Sequence, residues 1–398
     1  MVTVLTLLGI AVVFVHSAGL RIAESMDPHG SGLWAVLGSR HGIYALLAVA
    51  AMLAASRINV RRLYRSRALA HPLFAIVLLS LVAVGLTLVP GLGKTVNGAQ
   101  RWLYLGPRAW GLTFQPSELV KWLIVVALAW WCARRRGMMH LAGGLMPPLG
   151  LVAIACGLIL IEDLGTAALM GAVAACILFA GGARLWHLLL AVPPGAAALA
   201  AAVLSSPFRL RRLTSFLDPW ADPAGAGYHP IQSMLAIAQG GVAGRGLGNG
   251  IQKFGYLPED TTDFIFAVIC EETGLAGAAL LVALYLALLW VGLGIVRNCK
   301  DTFGRLLGLG VLLTLGLQAA MNLAVVTVVV PTKGIALPLV SRGGTGWIMT
   351  AFALGLVMAL DRTNHLEAED ERPVAGSHGP PSALTLPGRR LIDQDAPG

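Results

Sequence analysis

Apolar residues run along this chain in long blocks, not in the one-sided period of a surface helix. Ten blocks stand out, at roughly 2–20, 41–56, 72–90, 117–133, 141–161, 165–183, 185–205, 270–296, 306–330 and 346–361. A helix apolar on all sides is buried or crosses a bilayer, and a crossing takes about 20 such residues. The pattern therefore predicts ten membrane-spanning helices. The fifth and sixth blocks are parted only by Glu162, Asp163 and Leu164, but together they are too long for one crossing. The first block follows Met1-Val2-Thr3 with no basic stretch, so it reads as a retained span and not a signal peptide. Pro147-Pro148 and Pro193-Pro194 fall inside blocks five and seven, where kinks are expected. The expected organisation is an all-α polytopic domain over 1–361 with one large loop at 206–262. A tail at 362–398, acidic and then rich in Pro and Gly, is expected to be disordered.

Composition agrees, with 57% hydrophobic and 12% charged residues, outside the range of soluble domains. Lys and Arg collect in alternate short loops: Arg57, Arg61, Arg62, Arg65 and Arg67; then Arg134, Arg135 and Arg136; then Arg184; then Arg297, Lys300 and Arg305. Positive loops stay on the cytoplasmic side. Both termini are thus expected there, with the 206–262 loop outside. Arg209, Arg211 and Arg212 break this rule, and phosphate is the natural ligand for such a cluster. The net charge of +9 is topology signal and contact with anionic lipid, so no nucleic-acid partner is expected. The five cysteines have no metal-ligand spacing.

The polar chemistry sits in four outward segments. Arg101-Trp102 suits a headgroup contact, with the ring at the interface and the guanidinium on phosphate. After Pro116, Ser117 looks like an N-cap, and Glu118 and Lys121 share a helix face at i,i+3 as a structural ion pair. Asp163 in a tight turn either caps the next helix or faces a cavity. The stretch 239–250, with Arg245, is dense in glycine, and its exposed N–H groups suit an anion nest. Lys253, Glu259, Thr262 and Asp263 follow it. Asp263 reads two ways: as part of a helix start, with Thr262 capping, or as a functional carboxylate where water meets bilayer. Lys333 and Arg342 add positive charge. With Arg101, Arg245 and Lys253 they make an electropositive site suited to a pyrophosphate-linked substrate.

Read in order, these strings resemble the SEDS family, the FtsW/RodA/SpoVE group. The strings are Asn-Gly-Ala-x-Arg-Trp, Gln-Pro-Ser-Glu-Leu, Asp-Leu-Gly-Thr, Asp-Pro-Trp, Gly-Leu-Gly-Asn, Tyr-Leu-Pro-Glu, Thr-Asp-Phe-Ile-Phe and Pro-Thr-Lys-Gly. The wording before Asp263 is closest to the division and sporulation branch. The resemblance implies a peptidoglycan glycosyltransferase in the bacterial cytoplasmic membrane that polymerises lipid II, with Asp263 as catalytic carboxylate. It implies as partner a class B penicillin-binding protein, a transpeptidase, among other divisome or elongasome proteins. No cofactor is certain; a divalent cation, Mg or Mn, suits the pyrophosphate, but no dedicated metal site is visible. Three departures stand out: Thr261 where the family has His, Arg342 and Thr345 in its Ser-Tyr-Gly-Gly-Ser string, and Glu162 in place of Pro.

The expected chemistry is inverting transfer, with Asp263 as general base and its pKa held low by a helix N-terminus. The rival readings are a lipid II flippase and a non-catalytic scaffold for a transpeptidase. A flippase needs a charged path across the membrane, whereas the polar strings here gather at one face.

Overall fold

A computed structural model of the chain describes residues 1–19, 39–65, 70–89, 91–96, 99–104, 106 and 113–370. Asn97, Gly98, Arg67 and the tail from 371 lie outside the described residues. The ten apolar blocks are all helices: α1 (Val2–Gly19), α2 (Arg40–Ser56), α4 (Ala70–Thr87), α5 (Pro116–Arg134), α6 (Ala142–Leu160), α7 (Leu164–Ala180), α8 (Leu185–Leu204), α11 (Ile265–Arg297), α12 (Thr302–Val326) and α13 (Gly344–Asp370). Six are long and apolar enough to cross a membrane, and four are shorter apolar helices. The chain is a multi-pass membrane protein. Helix α13 runs nine residues past the expected domain boundary at 361.

Between them lie α3 (Val60–Arg65), α9 (Pro207–Leu217) and α10 (Tyr228–Gly240), so the large loop is partly helical. An antiparallel sheet of β1 (Gly93–Val96), β2 (Ala99–Tyr104) and β3 (Thr113–Phe114), in that order, precedes α5. This sheet was not expected in an all-α chain. Helix α12 packs against α5, α7 and α11, and α2 lies along α13. The basic loops meet at one end of the bundle. Arg134 Nη2 donates to the Tyr64 carbonyl at 2.8 Å and Arg136 Nη1 to Thr302 Oγ1 at 3.3 Å. The sheet, α9, α10 and the segment before α11 gather at the other end.

Helices α6 and α8 stay helical through their proline pairs, without the interruption that proline can cause. The break comes at Gly274 in α11, at φ 65 and ψ −162, a region open in practice only to glycine. Backbone groups freed by a break inside a bilayer must find partners, and here the glycine-dense loop supplies them. Arg245 N donates to the Glu271 carbonyl at 3.0 Å and Gly246 N to that of Glu272 at 2.9 Å. In return Leu275 N donates to the Gly241 carbonyl at 2.9 Å. The loop is spliced into the helix it precedes.

Replacing Gly274 should therefore damage the fold. Gly274→Ala strains the backbone and drives a methyl into Val242 and Gly244, at an expected cost of about 1–3 kcal/mol. Gly294→Ala in the same helix, where a methyl meets open space, should leave stability intact. Thermal unfolding of the detergent-solubilised variants compares the two.

Candidate active site around Asp263

Asp263 closes a tight turn just ahead of α11. Thr262 N and Phe264 N both donate to the Glu259 carbonyl, at 3.1 and 3.2 Å, and Glu259 itself takes a left-handed φ of 58. Thr262 Oγ1 donates to Glu259 Oε2 at 2.7 Å. Thr262 is thus a brace for Glu259 and not the expected cap: the residue capping α11 is Phe264, without a side-chain bond.

The turn is held from below by α12. Asn322 Nδ2 donates to the Asp263 carbonyl at 2.8 Å and to the Ile335 carbonyl at 2.7 Å. One turn away, Gln318 Nε2 donates to the Ala336 carbonyl at 2.9 Å. Gln318 Oε1 accepts from Lys121 Nζ at 2.9 Å, and Lys121 also pairs with Glu118 at 2.9 Å. The Glu118–Lys121 pair is therefore a buried strut under the segment 331–341. Ser117 lies inside α5, whose N-cap is Gln115, one correction to the expected start of that helix.

Arg101 comes to the same place from β2. A methyl built on Gly334 would lie 3.2 Å from Asp263 Oδ2 and 3.3 Å from Arg101 Nη1, so carboxylate and guanidinium flank a bare backbone. Arg101 Nε donates to the Glu162 carbonyl at 3.0 Å, and Nη1 lies 3.4 Å from Asp163 Oδ2. Asp163 performs both tasks weighed for it, since Oδ1 also accepts Thr166 N at 3.0 Å and caps α7. Glu162, at the family's Pro position, takes the Gln100 N–H on Oε2 at 2.8 Å. Trp102 is the next residue on β2 and is half-buried. The register of β1 against β2 shifts between Lys94 and Thr95, which leaves Arg101 as the extra residue of a bulge beside Trp102. A small cleft opens beside Arg101, lined by Val84, Leu158 and Ile159 together with Glu162 and Asp163.

The expected low pKa of Asp263 is overturned. Burial first, then the charge of Glu259, push it up to about 7; Arg101 pulls it down, Asp163 raises it and Arg212 lowers it. A carboxyl poised near neutrality is matched to general base work. Burial likewise raises neighbouring Asp260 to about 6.

Other expected site residues lie elsewhere. Lys253 Nζ is 2.8 Å from Glu272 Oε1, with side chains 1% and 0% exposed, and it also donates to Ser17 Oγ at 2.8 Å. Its charge is spent. Arg245 is exposed, and its Nη1 donates to Gln239 Oε1 at 2.8 Å. The expected anion nest is filled by the chain's own carboxylates: Gly248 N donates to Glu272 at 3.0 Å and Ile251 N to Glu271 at 2.7 Å. Arg342 is exposed, and its charge acts on Asp260, while its N–H donates to the Thr261 carbonyl at 2.7 Å. Lys333 stands beside Gly334, half-buried, with no side-chain bond among the described residues. Among the described residues no three His, Cys, Asp or Glu side chains converge to hold a metal.

Sequence reasoning missed Asn322, Gln318, Glu271, Glu272 and His229. The first four were visible as polar residues inside apolar runs, which are functional or structural by default. His229 stacks on Phe264 at 5.8 Å, a contact no spacing announces. Among the described residues its buried Nδ1 has no partner, and burial, then the charge of Arg212, lower its pKa.

A family model for FtsW, RodA and SpoVE, described as cell cycle proteins, matches residues 1–366. The chain belongs to this family. It is 41% identical over 360 residues to a probable peptidoglycan glycosyltransferase FtsW of Nitrosococcus halophilus, covering 89% of each chain. Against the corresponding protein of Alkalilimnicola ehrlichii it is 39% identical, over 93% of this chain and 90% of that one. Among solved structures it resembles a chain of a peptidoglycan synthase complex that coordinates polymerization and crosslinking. The TM-score is 0.69 and the identity 29%, over 91% of this chain and 97% of that one. The Thermus thermophilus rod shape determining protein RodA matches with TM-score 0.62 and 28% identity, over 91% of this chain and 95% of that one. Within this SEDS frame the turn at Asp263, Arg101 and the 331–341 segment form one cluster, with Lys253 and Arg245 outside it.

The Lys253–Glu272 pair gives a test of its structural role. Glu272→Ala strands a buried ammonium and should cost about 3–5 kcal/mol. Lys253→Met combined with Glu272→Leu should recover much of that loss, read as thermal unfolding of the purified variants.

Proposed function

We propose that this SEDS chain is a peptidoglycan glycosyltransferase that polymerises lipid II, with Asp263 as general base. The observation that carries this reading is the half-buried carboxylate, raised to about 7, beside Arg101 across the bare Gly334 backbone. The acceptor's 4-hydroxyl gives its proton to Asp263 as its oxygen attacks the anomeric carbon of the donor from the face opposite the leaving group. The bond from that carbon to the pyrophosphate oxygen breaks, and the pyrophosphate leaves with the electron pair. The product is an inverted, β-1,4-linked strand. Arg101 and Lys333 meet the charge that gathers on the leaving group. General base catalysis of this kind contributes roughly 10²–10⁴-fold.

Membership of the family supports further assignments: the bacterial cytoplasmic membrane, both termini on the cytoplasmic side, and the site on the opposite face. A class B penicillin-binding protein is the proposed partner, which the likeness to a synthase complex supports. A divalent cation, Mg or Mn, would assist pyrophosphate departure.

Purified protein with its transpeptidase should make glycan strands from lipid II, and folded Asp263→Asn should make none. Strands from both would move the base elsewhere. Lipid II binding without strands in either would favour the flippase or scaffold reading.

Because only the ionised carboxylate accepts a proton, kcat/KM should rise with pH to about 7 and level off above it, as a pH series with wild type measures.

Gly334→Ala places a methyl between base and Arg101. It should cut polymerisation about 100-fold with an unchanged melting temperature.

A further inference from the structure

The three arginines of α9 run against the topology signal, and the structure gives each a different setting. Arg209 is a fastener. Its Nη1 donates to the Ala202 carbonyl at 3.1 Å and its Nη2 to the Ile161 carbonyl. That seats α9 on the turn that carries Glu162 and Asp163. Arg211 is exposed. Arg212 follows Arg209 by three residues, and that spacing places both on one helix face, so it faces the cluster that Arg209 docks onto. Its guanidinium lies 4.4 Å over the Phe208 ring. It makes no hydrogen bond or ion pair among the described residues, although a guanidinium carries five donors. It is half-buried, and the charges that act on it are those of Asp263 and Arg101.

Among the described residues Lys333 also keeps its donors unspent, but its ammonium is a point charge and not a fork. Arg101 is tied to Asp163 and the Glu162 carbonyl, Lys121 to Glu118, and Lys253 to Glu272. Arg212 combines withdrawal from water, nearness to Asp263 and a full set of unspent donors. Such a group is costly unless an anion meets it, and its planar fork suits phosphate oxygens two at a time.

We propose that Arg212 binds the pyrophosphate of the lipid-linked donor, an assignment that rests on the glycosyl transfer described above. When the bond to the anomeric carbon breaks, the electron pair stays on the pyrophosphate oxygen, and Arg212 meets that charge together with Arg101. Stacking on Phe208 keeps the fork aimed without spending its donors.

The test uses the full chain in detergent with its transpeptidase. Binding of farnesyl pyrophosphate and farnesyl monophosphate is measured for wild type, R212K and R212Q, beside lipid II turnover and its pH profile. R212Q should bind the pyrophosphate probe about 10- to 100-fold more weakly, with a smaller loss for the monophosphate and an intermediate value for R212K. The KM for lipid II should rise in step. Loss of a neighbouring cation favours protonated Asp263, so the acid limb of kcat/KM should move to higher pH. A structural role alone would not produce that move. If R212Q does not fold, the R212K comparison decides, since it keeps the charge and loses the fork. Equal probe binding by wild type and variants overturns the assignment, and so does a wild type that ignores the probe. Arg212-dependent probe binding in a protein that makes no strands would sink the polymerase reading and leave the anion site standing.

Discussion

The carboxamide of Asn322 ties together two segments that share no secondary structure. It is fully buried in α12, and its nitrogen serves the carbonyls of Asp263 and Ile335 at once. In an apolar interior an unpaired carbonyl is expensive, so irregular backbone at that depth stays only where side chains satisfy it. Gln318 does the same for Ala336, and Lys121 and Glu118 brace Gln318 in turn. The position of the Asp263 carboxylate is therefore set from inside the bundle. The loops above it need not be rigid for Asp263 to be well placed.

The same constraint explains the glycine-dense loop. Gly274 breaks α11, and the broken helix exposes carbonyls and N–H groups within the bundle. Loop residues 241–246 pair with them, while Glu271 and Glu272 draw in Gly248, Ile251 and Gln252 with charge-assisted bonds. Lys253 neutralises Glu272. A loop whose composition suits anion binding does bind anions here, and they belong to its own chain.

The apolar blocks made the ten helices legible, because length and uniform hydropathy need no tertiary information. The choice of Asp263 as a candidate carboxylate rested on family strings and that of Arg101 on its place beside Trp102, and the structure sets the two on either side of Gly334. What stayed illegible was the pairing of charges. Lys253 and Arg245 look the same as Lys333 in a list of cations. Only the fold shows that Glu272 and Gln239 occupy the first two. Arg212 was visible as an oddity of topology, but its separation from Arg209 needed the hydrogen bonds of α9. The small sheet was hidden because its strands are short and lie beside glycine and polar residues.

The pKa of Asp263 shows why local rules failed at the site itself. A carboxylate that caps a helix accepts N–H bonds and is stabilised as an anion. Asp263 stands two residues before α11, and among the described residues its carboxylate accepts no hydrogen bond. The favourable dipole is replaced by burial and by two acidic neighbours, Glu259 and Asp163, set against Arg101 and Arg212. Glu259, held at a left-handed φ and braced by Thr262, brings its own charge to the turn, and that charge adds to burial in lifting the pKa of Asp263.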